Sequence, residues 1–212
     1  LAEQNGRYIL KKGINPQKDQ SYFLYRLKQE QWAKILLPRG DYTKEEIRNI
    51  AKSHGLDVAE KPDSQDFYEG DYNELLQVKQ KIGNIIDING NILGTHNGIW
   101  NYTIGQRKGL GISSTEALYV IELKNETNEV VVGFKDKTFN DSLFAVKLNW
   151  IAFDKLDKTL NCQAKIRSTQ QVQNVNIQPE NDGVKVIFEN MQNSITPGQS
   201  IVFYDNDTIL GG

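Results

Sequence analysis

A single cysteine, Cys162, stands among 212 residues. That excludes an internal disulfide framework and any zinc site built on cysteines. Histidine occurs only twice, at His54 and His96, so metal centres and histidine-based relays are poorly stocked. Neither sign of charge is in excess, with 25 Lys+Arg against 27 Asp+Glu and a formal net of -2. A nucleic-acid surface must therefore be a local patch, not a property of the whole molecule. No apolar run approaches the roughly 20 residues of a membrane helix, and no signal-peptide pattern opens the chain. The expectation is a cytoplasmic protein without membrane contact. Methionine occurs once, at Met191, and the first residue is Leu1; a natural start is expected to be missing, through processing or because a longer protein continues upstream.

What is present centres on Asn101–Ser113, where Gly105, Gly109 and Gly111 surround the cationic pair Arg107 and Lys108. Glycine lets the main chain turn through positive φ and lets a partner approach it closely. A glycine-flanked cationic turn suits a phosphate-bearing partner, because ionised donors make the shorter and stronger hydrogen bonds. It equally suits a hairpin corner whose charges keep a sheet edge soluble. The spacing is neither a Walker loop nor Gly-x-Gly-x-x-Gly, so no nucleotide site follows from it.

Along the chain, residues 1–12 read as a β-hairpin turning at Asn5-Gly6. Tyr22–Leu27 and Gln29–Leu37 read as short helices, the second stopped by Pro38 and Gly40. Thr43-Lys44-Glu45-Glu46 is a capping box opening a helix with Ile47, Ile50, Ala51 and His54 on one face and Gly55 as its stop. Tyr72–Lys79 predicts one or two further helical turns. The period then changes to two. Ile85–Ile88 and Asn91–Gly94 form a hairpin around Asn89-Gly90, and Leu118–Leu123 with Val130–Gly133 form a second around Asn125–Asn128. After a boundary near Lys135–Asp141, strands are expected at Ala145–Phe153, Cys162–Ser168, Val172–Ile177, Val184–Phe188 and Ser200–Tyr204. Short strands at about 8–12 residue spacing indicate a small barrel or sandwich.

The residues able to carry chemistry are few. His96, in a Gly-Thr-His-Asn-Gly turn, is the one histidine placed to act as a base, and pinning the turn by hydrogen bonds is its commoner use. Cys162 lies in an alternating strand, where free cysteine behaves as a small hydrophobe. Asp63-Ser64-Gln65-Asp66 is rich in polar groups that cap helices and turns, hold a metal or orient a nucleophile. Lys18-Asp19-Gln20 is a helix start that can also meet a phosphate. Lys165, Arg167 and Gln170 bring donors to a strand and its end, and Gln199 follows a tight turn.

Taken together, Lys18–Leu24, Lys61–Asp66, Tyr102–Gly111 and Thr196–Gln199 occur in the order found in bacterial tRNA-specific 2-thiouridylases, which the chain resembles along essentially all its length. The closing Leu210-Gly211-Gly212 also resembles that family. The resemblance covers only the later part of the family's length. It implies an α+β, mostly β architecture: residues 1–66 as the tail of an adenine-nucleotide α-hydrolase-like catalytic domain, 67–135 as a small β-rich central domain, and 136–212 as an antiparallel β-barrel. It implies a sulfurtransferase that adenylates the wobble uridine with ATP and Mg2+, then delivers sulfur from a cysteine persulfide. The ATP loop, Ser-Gly-Gly-x-Asp-Ser, is absent here, so this chain alone is expected to be inactive and to hold no cofactor.

The implied tRNA contacts are Lys18, Asp19, Gln20, Arg167 and Gln199, with Ser168 beside them; Arg107 and Lys108 on the glycine-rich loop join them from the chemistry of that turn. The implied partners are the anticodon arm of tRNA and a sulfur carrier protein, with a monomeric protein. Two departures count. Ser64-Gln65-Asp66 runs into Phe67-Tyr68-Glu69-Gly70 where the family has its persulfide cysteine, so no catalytic residue is assigned. Ser168-Thr169 stands where the family commonly has Tyr-Arg, which removes a ring and a charge. A non-catalytic RNA-binding paralogue and a β-rich interaction domain are the alternative readings.

Overall fold

A computed structural model of the chain describes residues 1–56 and 79–212. The expected helical turns at Tyr72–Lys79, apart from Lys79, and the Asp63–Gly70 stretch with Phe67 and Tyr68 lie outside the described residues. The chain is mostly β and divides into two compact units. Residues 1–56 join Ser142–Asn190 and Gly198–Gly212 in the first, and residues 79–141 join Met191–Pro197 in the second.

The first unit opens with β1 (Ala2–Gln4) and β2 (Arg7–Ile9), paired antiparallel with Gln4 opposite Arg7. Their turn needs positive φ at two successive residues, and Asn5 (φ 52) and Gly6 (φ 73) tolerate it. Helix α1 spans Ser21–Leu24. Helix α2 spans Gln29–Trp32, shorter than the expected Gln29–Leu37. Its Trp32 is buried with the indole N–H donating to the Leu27 carbonyl (3.0 Å), and the backbone beyond it tightens into bonds from Lys34 to Gln31 and Ile35 to Trp32. Helix α3 spans Lys44–Ser53, opened by the capping box: Glu46 N–H donates to Thr43 Oγ1 (3.3 Å) and Thr43 N–H to Glu46 Oε2 (2.7 Å). None of its residues is buried.

Six strands form the main sheet: β7 (Phe139–Val146), β8 (Leu160–Lys165), β9 (Gln173–Glu180), β10 (Gly183–Asn193), β11 (Val202–Asp205) and β12 (Thr208–Gly211), in the order β12-β11-β8-β9-β10-β7. The expected strand Ala145–Phe153 lies earlier, because Lys147 adopts φ 57 and ends β7. Beyond it Trp150 bridges to Gly211 and Ile151 donates to the Leu210 carbonyl. Alternation sorts the two faces. Val175 and Ile177 on β9 and Val186 and Phe188 on β10 are buried and directly opposed. Their alternates hydrogen-bond along the other face, Asn174 donating to Glu189, Asn176 to Asn161 and Gln178 to Asn176.

Strand β11 departs from this alternation, since Val202, Phe203 and Tyr204 are all buried. Val202 and Tyr204 pack with Leu10, Tyr22, Tyr25, Trp32, Ile151 and Ile209 in one cluster. The N-terminal segment thus covers one face of the strand. Lys12 N–H donates to the Asp207 carbonyl, Ile209 N–H to the Leu10 carbonyl, and Asn149 Nδ2 to the carbonyls of Tyr25 and Leu27.

The second unit holds β3 (Gly83–Asp87), β4 (Ile92–His96), β5 (Tyr119–Lys124) and β6 (Glu129–Gly133) in the order β4-β3-β6-β5. Both hairpins form where the turn chemistry places them, and β3 and β6 join them in parallel. Asp87 sets the first turn: its carboxylate accepts from the Asn89 and Asn91 amides (2.8 Å each) and from Asn91 Nδ2 (2.8 Å). Ile85, Leu110, Val120, Val130 and Val132 make the core.

Candidate nucleic-acid interface

In the first unit, Asp19 organises the loop in front of α1. Its carboxylate accepts from Gly13 N–H (3.1 Å), Ser21 N–H (3.1 Å) and Ser21 Oγ (2.8 Å). The flanking Lys18 and Gln20 are exposed. One turn on, Tyr22 is buried and its hydroxyl donates to the Ser200 carbonyl (2.7 Å), while Tyr25 donates to Ser200 Oγ (2.8 Å). These bonds fix the chain directly after Gln199, which is exposed beyond the turn at Gly198 (φ 84).

Arg167 follows the end of β8, and its charge acts on Tyr22. Burial, with a lesser contribution from Tyr25, pushes the Tyr22 hydroxyl up to about 12, and the Arg167 charge opposes that rise. The loop carrying Arg167 and Ser168 is closed by Gln170, whose N–H donates to the Arg167 carbonyl (3.1 Å) and whose Oε1 accepts from Ile166 N–H (3.2 Å). Tyr22 bonds Ser200 and lies within the influence of the Arg167 charge; Lys18, Asp19 and Gln20 precede Tyr22 in the chain, Ser168 follows Arg167 and Gln199 precedes Ser200. Within the group Asp19 is a brace, and the outward donors are its neighbours.

Arg107 and Lys108 belong to the second unit and are exposed. Their loop is tightly held: Gly105 N–H donates to the Val120 carbonyl (2.8 Å), Val120 N–H to the Gln106 carbonyl (2.9 Å), and Gln106 Nε2 to the Lys108 carbonyl (2.9 Å). Leu110 anchors its far end in the core. Gly105 lies at φ 86, and a Cβ there would collide with the Ser194 side chain. Ionised donors on a braced turn lose little freedom when they engage a phosphate.

The remaining candidates do structural work. His96 is buried, with Nδ1 accepting from Gly98 N–H (3.1 Å), so Nε2 carries the proton and donates to the Asn128 carbonyl (3.2 Å). His54 caps α3 at its C-terminus. Burial, aided by the Asp205 charge, pushes the Cys162 thiol up to about 12, the opposite of an activated nucleophile. No group of three or more His, Cys, Asp or Glu among the described residues could hold a metal ion. Sequence reasoning missed Lys12 and Tyr204 beside this surface; the Lys11-Lys12 pair after β2 was the available signal.

Three families match in succession: the tRNA methyl transferase HUP domain over residues 1–68, the tRNA methyl transferase PRC-barrel domain over 74–134, and the Aminomethyltransferase beta-barrel domain over 140–212. The tRNA-specific 2-thiouridylase MnmA of Endomicrobium trichonymphae is 51% identical over 208 residues, which are 97% of this chain and 58% of that protein. The tRNA-specific 2-thiouridylase MnmA 2 of Caldanaerobacter subterraneus is 47% identical over 218 residues, 99% of this chain and 60% of that protein. The MnmA of Acetivibrio thermocellus is 45% identical over 214 residues, with 97% and 60% covered. The chain spans about six-tenths of the length of the curated relatives it matches. With three successive matches and identities of this size along nearly its whole length, the chain belongs to the tRNA-specific 2-thiouridylase family.

Proposed function

We propose that this chain is the tRNA-binding part of a tRNA-uridine 2-sulfurtransferase, which replaces O2 of the wobble uridine with sulfur in an ATP-dependent reaction. The observation that supports the reading is the Tyr22–Ser200 hydrogen bond with the Arg167 charge acting on Tyr22, which links the chain segments carrying Lys18 and Gln20, Arg167, and Gln199. In this reading the three stretches supply cationic and amide donors to one surface. Such donors hold a nucleic-acid backbone in register, while the base that reacts is presented elsewhere. The braced Arg107–Lys108 turn is assigned to the same substrate.

Asp19 acts by fixing its loop. The anticodon arm of tRNA is the proposed ligand, a sulfur carrier protein the proposed second partner, the protein a monomer and the cytoplasm its place. ATP and Mg2+ are assigned to sequence outside these 212 residues; no Ser-Gly-Gly-x-Asp-Ser loop occurs in them, and no step passes through a nucleotide here. Phe67 and Tyr68 carry no thiol, so sulfur arrives as the outer sulfur of a persulfide on another thiol or from a sulfide source.

A protein extended to the length of its relatives, supplied with tRNA, ATP and either a persulfide carrier or inorganic sulfide, is expected to yield 2-thiouridine. Salt-sensitive tRNA binding without thiolation under either condition identifies a non-catalytic RNA-binding paralogue. Absence of salt-sensitive binding rejects the tRNA reading altogether.

A further inference from the structure

Two ammonium groups share one aromatic ring beside the Arg167–Gln199 surface. Lys12 Nζ lies 4.5 Å from the centroid of Tyr204, and Lys165 Nζ lies 6.0 Å from the same centroid. Tyr204 is 1% exposed, and its hydroxyl is the one buried side-chain polar atom among the described residues with no hydrogen-bond partner. A buried phenol ordinarily finds a partner.

One lysine over a ring is an ordinary stabilising contact; a second brings repulsion. Burial pushes the Lys12 ammonium below the ordinary lysine value and the Lys165 charge adds to that, while Asp19 and Asp207 pull the other way. Neither carboxylate closes an ion pair with the two lysines among the described residues. Asp19 is engaged by Gly13 and Ser21, and Asp207 pairs with Lys11 at 3.2 Å. Lys12 donates instead to the Asn206 carbonyl (2.6 Å). Among the described residues the two ammonium groups thus meet at one ring with carboxylates nearby but no direct ion pair.

We propose that Lys12 and Lys165 form a clamp for one phosphodiester of an RNA backbone, with the Tyr204 ring as its floor. This deepens the tRNA-binding reading and rests on it. The continuity of the surface points to a polymer rather than a free anion. Lys165 lies two residues before Arg167 on the chain, and Tyr204 packs in one cluster with Tyr22, whose hydroxyl donates to the Ser200 carbonyl.

The test is filter binding of tRNA to the full chain at 50 and 200 mM salt, comparing the parent with a Lys12→Ala/Lys165→Ala double variant and a Lys12→Arg/Lys165→Arg control. Losing one phosphate contact makes the log–log salt slope shallower by about 0.7–0.9, so the loss of affinity between these salts shrinks about threefold, and the arginine control keeps the parent slope. An unchanged slope in the alanine variant, with only a lower melting temperature, assigns the lysines to packing and overturns the proposal. A rise in melting temperature with millimolar inorganic phosphate, lost in the alanine variant, identifies a small-anion site and also overturns it. A parent chain that does not bind tRNA rejects the underlying reading instead, so the two failures are distinguishable.

Discussion

The Tyr22 hydroxyl donates to the Ser200 carbonyl at 2.7 Å across 178 residues of sequence, tying the helix after the Lys18–Gln20 loop to the strand after Gln199. Tyr22→Phe removes the donor and leaves a carbonyl short of its partner. The expected cost is about 1 kcal/mol of unfolding free energy, read by urea denaturation. Affinity for tRNA falls in the same variant, because Gln199 loses the bond that fixes its neighbour.

Arg167 and Gln199 separate charge from shape. Arg167→Ala is expected to weaken tRNA binding and to flatten its salt dependence by about 0.7–0.9 in log–log slope. Gln199→Ala removes a neutral donor, so affinity drops while the slope stays. Equal slopes in both variants would count against Arg167 as a phosphate contact.

On the glycine-rich turn, Arg107→Ala with Lys108→Ala is expected to lower tRNA affinity without changing thermal stability, since both side chains are exposed. Undiminished affinity in the double variant removes this turn from the interface.

Cys162 predicts an alkaline limit. Its thiol stays protonated in the folded chain up to about 12 against an ordinary value of 9.0, so the folded state holds a proton that the unfolded state has released. The resulting stability is complete below pH 9 and is lost as pH rises from 9 toward 12. Tyr22 adds a similar loss from pH 10 to about 12. Melting temperature should therefore fall above pH 9, and less steeply in Cys162→Ala, which keeps its tRNA binding. A disulfide reagent at pH 8 should label Cys162 far more slowly than a free exposed thiol.

His96→Ala should destabilise the second unit by about 1–3 kcal/mol, because it leaves the buried Gly98 amide without its acceptor and the Asn128 carbonyl without a donor. Unchanged stability combined with lost thiolation in the extended protein would instead mark His96 as a base.

Local chemistry made much of this structure legible. Asn5-Gly6 and Asn89-Gly90 turn as their dipeptides require, Thr43 and Glu46 cap α3 reciprocally, and His96 pins a turn. Long-range partners decided what remained hidden. Nothing in Gln29–Leu37 says that Trp32 will be drawn into a core shared with Val202 and end its helix early. Nothing near Ala145 signals that Lys147 takes positive φ and breaks the strand. The bonds that Asp19 accepts from Gly13 and Ser21 are not legible in its motif. The Lys12–Tyr204–Lys165 stack joins three distant stretches and leaves no trace in any one of them.

Strand β11, enclosed on both faces, has a consequence for the order of folding. Leu10, Tyr22, Tyr25 and Trp32 complete their core only with Val202, Tyr204 and Ile209, so this segment waits for strands synthesised much later. Contacts of such long sequence separation are slow to form. A chaperone that shields apolar rings should accordingly engage the nascent Leu10–Trp32 segment until β11 has left the ribosome. In the finished protein, the amides of Val202 and Phe203 should be among the last to exchange with deuterium.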